Sequence, residues 1–461
     1  MDLARHEEYV SPFTARYVSP EMSRLFSPQF KVSTFRKLWT ALAQAERKLG
    51  LAITDQQIEE LKQHIDHIDF AVIHSYEQRF RHDVMAHIHA YADLCPTAKP
   101  IIHLGATSSY VTDNSDLIQL KAALTLLLHK QVQAIRHLAS FAKTFAEAPC
   151  LAYTHFQPAQ PTTIGKRACL WLQDLLLDAK ELERAINTLP FLGAKGATGT
   201  QASFLALLDN DSLKVKELET LIAAQFGFTK VIPIASQTYT RKIDLQILNL
   251  LESFGASIHK MATDIRLLAH EGEITESFDD EQVGSSAMPY KRNPIYAERI
   301  CGLARFVMSL AQNGAYTTAT QWLERSLDDS SNRRLTIPEA FLGTDAILNT
   351  LLHLLTHLHV DRNKALSHLE AQIPHLAMEP LLMAAAKRGE DRQAVHETLR
   401  RLSGKPIDQI VKELNLDPKQ FHPQALTGLA SKQVHDYLDT EVDSFLKIYA
   451  HIGDSYTHVA I

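Results

Sequence analysis

Residues 116–146 read DLIQLKAALTLLLHKQVQAIRHLASFAKTFA, with neither proline nor glycine. Leu117, Leu120, Leu124, Leu127, Leu128, Val132, Ile135, Leu138, Ala142 and Phe145 recur at steps of three and four, which predicts one long amphipathic helix with a continuous apolar face. A helix of this reach needs partners of similar length, and the chain supplies them. Helical patterns cover about 162–188 and about 241–270, the latter aligning Ile243, Ile247, Leu250, Phe254, Ile258, Met261, Ile265 and Leu268 on one stripe. Two more cover about 294–321 and 337–359. Long helices with no strand pattern between them imply an all-α chain built on a central bundle. Three helical domains are expected: 1–110, mainly helical with polar turns; 111–360, the long-helix bundle; and 361–461, where shorter helices over about 380–403 and 431–452 are separated by Gly404-Lys405-Pro406 and Asp417-Pro418. The apolar stripes themselves are core and carry no functional content.

The chain has 461 residues, 45% of them apolar and 22% charged, and a formal net charge of -6. Such a composition fits a globular protein with a large interior. With no basic tail or Lys/Arg block, nucleic acid is not an expected partner, although a local basic pocket for a small anion is compatible with it. Met1 to Pro20 lacks the apolar core of a signal peptide, and no apolar stretch is long enough to span a bilayer, so a cytoplasmic protein with no membrane partner is expected. Cys95, Cys150, Cys169 and Cys301 form no CxxC pair, which fits reduced thiols better than a disulfide framework or a zinc site.

The residues that could do chemistry lie at the junctions between helices. Arg16-Tyr17 sits between Ser11-Pro12 and Ser19-Pro20, in a turn where a solvated arginine is the plainer alternative. Arg81-His82-Asp83-Val84-Met85-Ala86-His87-Ile88-His89 is dense in imidazole, but His87 and His89 do not share a helix face and no second cluster completes a metal site, so a hydrogen-bonding role is expected and no metal. His103-Leu104-Gly105-Ala106-Thr107-Ser108-Ser109 could present N–H groups and hydroxyls to an anion, or simply cap the next helix. The prolines of Tyr153-Thr154-His155-Phe156-Gln157-Pro158-Ala159-Gln160-Pro161 put His155 on a rigid turn at one end of the bundle. Gly193 to Gln201 is glycine-rich without matching the phosphate loop GxxxxGK[ST]. Gln237 precedes the third helix and could cap it. Gln321 to Arg334 holds three arginines, Arg325, Arg333 and Arg334, for which an anion pocket or a salt-bridged surface turn are both open. Gly284-Ser285-Ser286-Ala287-Met288-Pro289-Tyr290-Lys291-Arg292-Asn293-Pro294 combines hydroxyls, donors and helix-breaking prolines in one polar loop. With no metal cluster or cofactor fingerprint, this inventory suits proton-transfer chemistry on a small polyanion, with elimination as one option.

The stretch Gly284 to Pro294 resembles the signature loop of the fumarase/aspartase superfamily, whose members cleave C–N or C–O bonds and release fumarate. Arg81 to His87, His103 to Ser109, Thr154 to Ala159 and Trp322 to Arg334 are similar to the adenylosuccinate lyase family within it, and the likeness covers nearly the whole chain. The resemblance implies an enzyme of purine nucleotide biosynthesis: a homotetramer, without cofactor, whose active sites combine residues from three subunits and take adenylosuccinate as substrate. It implies Ser285 as general base and His155 as general acid. Lys291, Asn293, Thr107 and Ser108 would stabilise the reacting carboxylate. His82 and Gln237, with Arg81 and Asp83 beside them, would orient the substrate. Arg16, Tyr17, Arg299, Arg325, Ser330 and Arg334 would hold the nucleotide and its phosphate. Argininosuccinate lyase, fumarase and aspartase share the loop logic but have no nucleotide phosphate to bind, and a non-catalytic helical scaffold is disfavoured by the presence of both Ser285 and His155.

Overall fold

The computed structural model describes residues 9–277, 286–288, 290–402, 404–415, 417 and 421–453. The expected all-α architecture is present: five helices, Ser108–Thr144, Ile164–Thr188, Lys242–Glu271, Ile295–Ala319 and Asp328–Thr356, pack side by side as the central bundle. The longest, 37 residues, spans about 55 Å at the usual rise per residue. Its buried residues include Leu117, Leu120, Leu124, Leu127, Val132, Ile135, Leu138 and Ala142, the stripe from which it was predicted. One apolar core runs from Phe13 through the bundle to Ile452, and a separate cluster between Ile373 and Phe421 is built from the short helices after residue 362. The pattern over 380–403 divides into Met378–Lys387 and Arg392–Leu402, with Gly389 between them at a positive φ of 83°.

Two helices begin earlier than periodicity indicates. Ser108–Thr144 starts eight residues before Asp116, and Asp328–Thr356 starts nine before Ile337. In both, the first turns are mainly polar and break the apolar stripe, because one side of that end of the bundle borders a cleft.

Among the described residues four short strands are also present, where no strand was expected. Pro149–Thr154 and Gln157–Thr163 form an antiparallel hairpin, and Ile274–Glu276 pairs with Leu358–Val360. Pro158 and Pro161 hid the first from a propensity reading, yet proline is tolerated on the edge of a two-stranded ribbon, where one side makes no ladder bonds. In the second sheet the Glu276 carboxylate accepts hydrogen bonds from Tyr296 N (3.0 Å) and Ala297 N (2.8 Å). These are orphan donors of the Ile295–Ala319 helix, so one buried side chain joins the two flanks of the Ser277–Pro294 stretch.

Glu46, in the Pro28–Lys48 helix, is 1% exposed, and neither carboxyl oxygen has a hydrogen-bond partner among the described residues. Burial pushes its pKa up to about 8. An unfolded glutamate ionises near pH 4.3, so between that pH and 8 the folded chain keeps a proton the unfolded chain has lost. Stability therefore falls as pH rises through this window. Glu46→Gln is expected to flatten the dependence. Thermal melting should show a gain over the wild type on the order of several degrees at pH 9, shrinking towards pH 5.

Candidate active site

A cleft of about 1540 Å³ opens where the early starts of the Ser108–Thr144 and Asp328–Thr356 helices meet the Phe70–Phe80 and Asp83–Leu94 pair. It gathers Arg81, His82, Asp83, Thr107, Ser108, Gln237, Arg325, Ser330 and Arg334, nine of the expected site residues from four separated stretches of chain. Local backbone geometry explains the placement. Arg81 ends the Phe70–Phe80 helix in the left-handed region (φ 52°), turning the chain sharply so that His82 becomes the N-cap of Asp83–Leu94. His82 Nδ1 accepts from Met85 N at 3.3 Å; neutral His82 therefore carries its proton on Nε2. Thr107 stands at the N-cap of Ser108–Thr144, but its side chain makes no capping bond, which leaves its hydroxyl and the helix N-terminus facing the cleft, a favourable setting for an anion. Arg334 lies 3.7 Å from Asp83, both groups being largely exposed. Gln237 does not cap the third helix, a role its position left open: that helix starts at Lys242 with Arg241 as its N-cap, and Gln237 instead accepts from Ser109 Oγ at 3.4 Å.

His103 also lines the cleft and was not singled out from the sequence. Its backbone is left-handed (φ 67°), and Nδ1 accepts from Trp39 Nε1 at 2.9 Å. Burial drives its pKa down to about 4. It is thus a neutral imidazole with its proton on Nε2.

Along the wall of the cleft runs a set of largely buried ion pairs whose partners the sequence reading did not identify. Arg241 donates from Nε to Asp329 Oδ2 (2.6 Å) and from Nη1 to Asp113 Oδ2 (2.9 Å). Arg333 donates to Asp244 (2.7 Å), Asp116 (3.0 Å) and the Tyr239 hydroxyl (2.5 Å). Each guanidinium thereby ties together the same three stretches: the start of Ser108–Thr144, the segment leading into Lys242–Glu271, and the start of Asp328–Thr356. Buried charges of this kind are tolerable only when paired and hydrogen-bonded. Arginines and aspartates in the first turns of helices look like a solvated face in sequence; only the packing of three helix ends reveals them as buried.

Gly199 sets the position of the Gln237 segment. A Cβ at residue 199 would come within 1.9 Å of Ala235 O, and its φ is +82°. Gly199→Ala is expected to displace residues 235–237, lowering stability by about 1–3 kcal/mol and weakening substrate binding more than turnover; a thermal melt and a KM measurement check both.

The remaining expected residues lie elsewhere. His155 and Phe156 form the two-residue tip of the Pro149–Thr163 hairpin, with φ of 54° and 57°. Two successive positive φ values make the type I′ turn that a tight hairpin favours, a strained choice for residues other than Gly, Asn or Asp. Arg167 Nη2 anchors the base of the hairpin through Leu151 O at 2.6 Å. Tyr17 lies 5.5 Å under the Arg299 guanidinium and 5.9 Å from that of Arg16, in a short turn, Phe13–Tyr17, fixed by Asn349 Nδ2 donating to Tyr17 O at 3.1 Å. Lys291 and Asn293 precede the Ile295–Ala319 helix. Neither these two, nor His155, Arg16, Tyr17 or Arg299, lines the cleft. Ser285 lies outside the described residues. Among the described residues no three His, Cys, Asp or Glu side chains are grouped to hold a metal ion, and no helix is long and apolar enough to cross a membrane.

A family model described as Lyase matches residues 17–309. The adenylosuccinate lyase of Schizosaccharomyces pombe is 50% identical over 408 residues, covering 88% of this chain and 84% of that protein. That of Saccharomyces cerevisiae is 43% identical over 464 residues, covering 96% of each, and that of Schistosoma mansoni is 44% identical over 464 residues, covering 96% and 97%. Among solved structures, the 3-carboxy-cis,cis-muconate lactonizing enzyme of Pseudomonas putida superposes with a TM-score of 0.83 at 22% identity, over 95% of this chain and all of that one. A fumarate lyase of a Mesorhizobium species gives 0.78 at 21%, over 94% and 100%. These two similarities bear on the fold, which they share; the sequence relatives go further, and by them the chain belongs to the adenylosuccinate lyase family of the fumarase/aspartase superfamily.

Proposed function

We propose that the protein cleaves adenylosuccinate to AMP and fumarate by general acid/base β-elimination, and in the same way cleaves succinyl-aminoimidazole-carboxamide ribotide to aminoimidazole-carboxamide ribotide and fumarate. The observation that carries this reading is the convergence of Arg81-His82-Asp83, Thr107-Ser108, Gln237 and Arg325 to Arg334 on one cleft, where arginines, imidazoles and hydroxyls are lined up together. Arg325, Ser330 and Arg334 are suited to the nucleotide phosphate, since guanidinium pairs bind phosphate oxygens in bidentate fashion. His82, Gln237, Arg81 and Asp83 would orient the succinyl group.

In the reaction, Ser285 as serinate removes a Cβ proton. The electron pair left behind is stabilised as an aci-carboxylate by donors from Lys291, Asn293, Thr107 and Ser108. The C–N bond then breaks, and His155 as imidazolium protonates the departing nitrogen. Fumarate and the aminopurine result, and one proton returns from Ser285 to His155 through solvent to reset the pair.

Because His155, Lys291, Asn293, Arg16, Tyr17 and Arg299 do not line the cleft of their own chain, we take the working form to be a homotetramer whose sites draw on three subunits; Arg16, Tyr17 and Arg299 complete the nucleotide pocket from a neighbour. A cytoplasmic location is in keeping with four buried free cysteines. The test is to supply purified protein with adenylosuccinate, argininosuccinate, malate and aspartate separately and to measure fumarate. Release from adenylosuccinate is expected; its absence there would overturn the reading, and absence from all four would favour a scaffold.

A further inference from the structure

We propose that Asp329 is a positioning residue for Arg325, holding its guanidinium aimed into the cleft without consuming its hydrogen-bond donors. The inference rests on the nucleotide reading of the cleft given above. Arg325 Nη1 lies 3.6 Å from Asp329 Oδ2, close enough for charge attraction but beyond a hydrogen bond. Both Arg325 Nη1 and Asp329 Oδ1 are buried and have no hydrogen-bond partner among the described residues. Unpaired buried groups of this sort are rare and expensive, and here they belong to two side chains of opposite charge whose nearest charged atoms lie 3.6 Å apart.

The carboxylate itself cannot swing to close that gap. Asp329 is 2% exposed, and its Oδ2 is held by Arg241 Nε at 2.6 Å. Arg241 is in turn fixed by Asp113 at 2.9 Å, and its carbonyl accepts from Thr318 Oγ1 at 3.0 Å. Arg325, by contrast, lies before the Asp328–Thr356 helix, and its long side chain has many rotamers to lose when it is ordered. A fixed carboxylate at this separation acts as a tether. It orients the guanidinium in the free protein, and an arriving phosphate meets N–H donors that need not first break a bond. The ligand class is a nucleoside monophosphate, or the monophosphate end of a larger nucleotide.

A purely structural Asp329, serving only as the partner of Arg241, is the alternative, and Asp329→Asn separates the two. Asparagine retains an acceptor oxygen for Arg241 Nε but removes the charge that Arg325 feels. KM for adenylosuccinate and the calorimetric Kd for AMP are measured in the wild type, Asp329→Asn, Arg325→Met and the double variant, with thermal melts on each. Asp329→Asn is expected to raise KM and Kd about tenfold with kcat within about threefold, and to add less than about twofold once Arg325 is methionine, since residues acting through one another are non-additive. Equal factors in both backgrounds, or no change in KM and Kd, would overturn the proposal. Should Asp329→Asn not fold, Asp329→Glu displaces the carboxylate by one methylene and is read by the same cycle. A wild type that binds AMP with this coupling but releases no fumarate from adenylosuccinate would sink the substrate assignment and leave the tether standing; a wild type that binds no AMP would sink the tether too.

Discussion

Replacing Ser285 by alanine is expected to lower fumarate release from adenylosuccinate by about 10³-fold, within the span that general base catalysis contributes, while leaving the Kd for AMP within about twofold. A serine hydroxyl is a weak base, so the role requires an environment that favours its ionised form. Lys291, six residues on, supplies a cation from the same stretch, and exclusion of water would strengthen its effect. The nucleotide contacts assigned to Arg325, Ser330 and Arg334 sit in a cleft fixed by Arg241 and Arg333, away from the Ser285 stretch in sequence, and a hydroxyl deletion should not disturb them. Rapid-quench turnover and calorimetry on the same preparation decide the case. Turnover at the wild-type rate would remove Ser285 from the base role. Loss of AMP affinity in parallel with turnover would mean that the substitution disturbs binding and not proton transfer alone. Lys291→Met should reproduce part of the loss, with kcat falling more than KM rises, because its charge is needed chiefly as the transition state forms.

How far the sequence led depends on which physical signal each element carries. The five bundle helices could be read because burying one face imposes a period of 3.6 on the residues, and Leu117 to Ala142 obey it. The starts at Ser108 and Asp328 could not, because there the helix borders a cleft and its first turns are polar. The Pro149–Thr163 hairpin was hidden by Pro158 and Pro161, which argue against a strand unless its edge is known to be free. Nine of the cleft residues were identified by resemblance of whole loops, which preserves residue type and order. The residues missed were those whose role depends on three-dimensional neighbours alone. Arg241, Asp113 and Asp116 look in sequence like ordinary helix-surface charges, and His103 takes its meaning from Trp39, 64 positions away. Composition offers no sign of such pairings; they arise when helix ends distant in sequence are packed together.

The second large effect concerns His155. His155→Ala should be as inactive as Ser285→Ala, for the leaving nitrogen would depart as an unprotonated, poor leaving group. The more telling result lies in mixing the two dead variants. His155 is exposed at the tip of its hairpin and does not line the cleft of its own chain, whereas a general acid must come within hydrogen-bond reach of its proton acceptor. If the hairpin of one subunit meets Ser285 of a different subunit in a shared site, then a randomly assembled equal mixture gives each site an intact His155 with a chance of one half and an intact Ser285 with an independent chance of one half. Roughly a quarter of wild-type activity should then return, as expected for a symmetric oligomer with sites at its interfaces. Were both residues drawn from the same chain, every site in the mixture would lack one of them, and no activity would return however thoroughly the subunits exchange. Sedimentation of the mixture, with one variant carrying a mass tag, verifies that hybrids have formed; hybrids without activity would mean that His155 and Ser285 of each site come from one and the same chain.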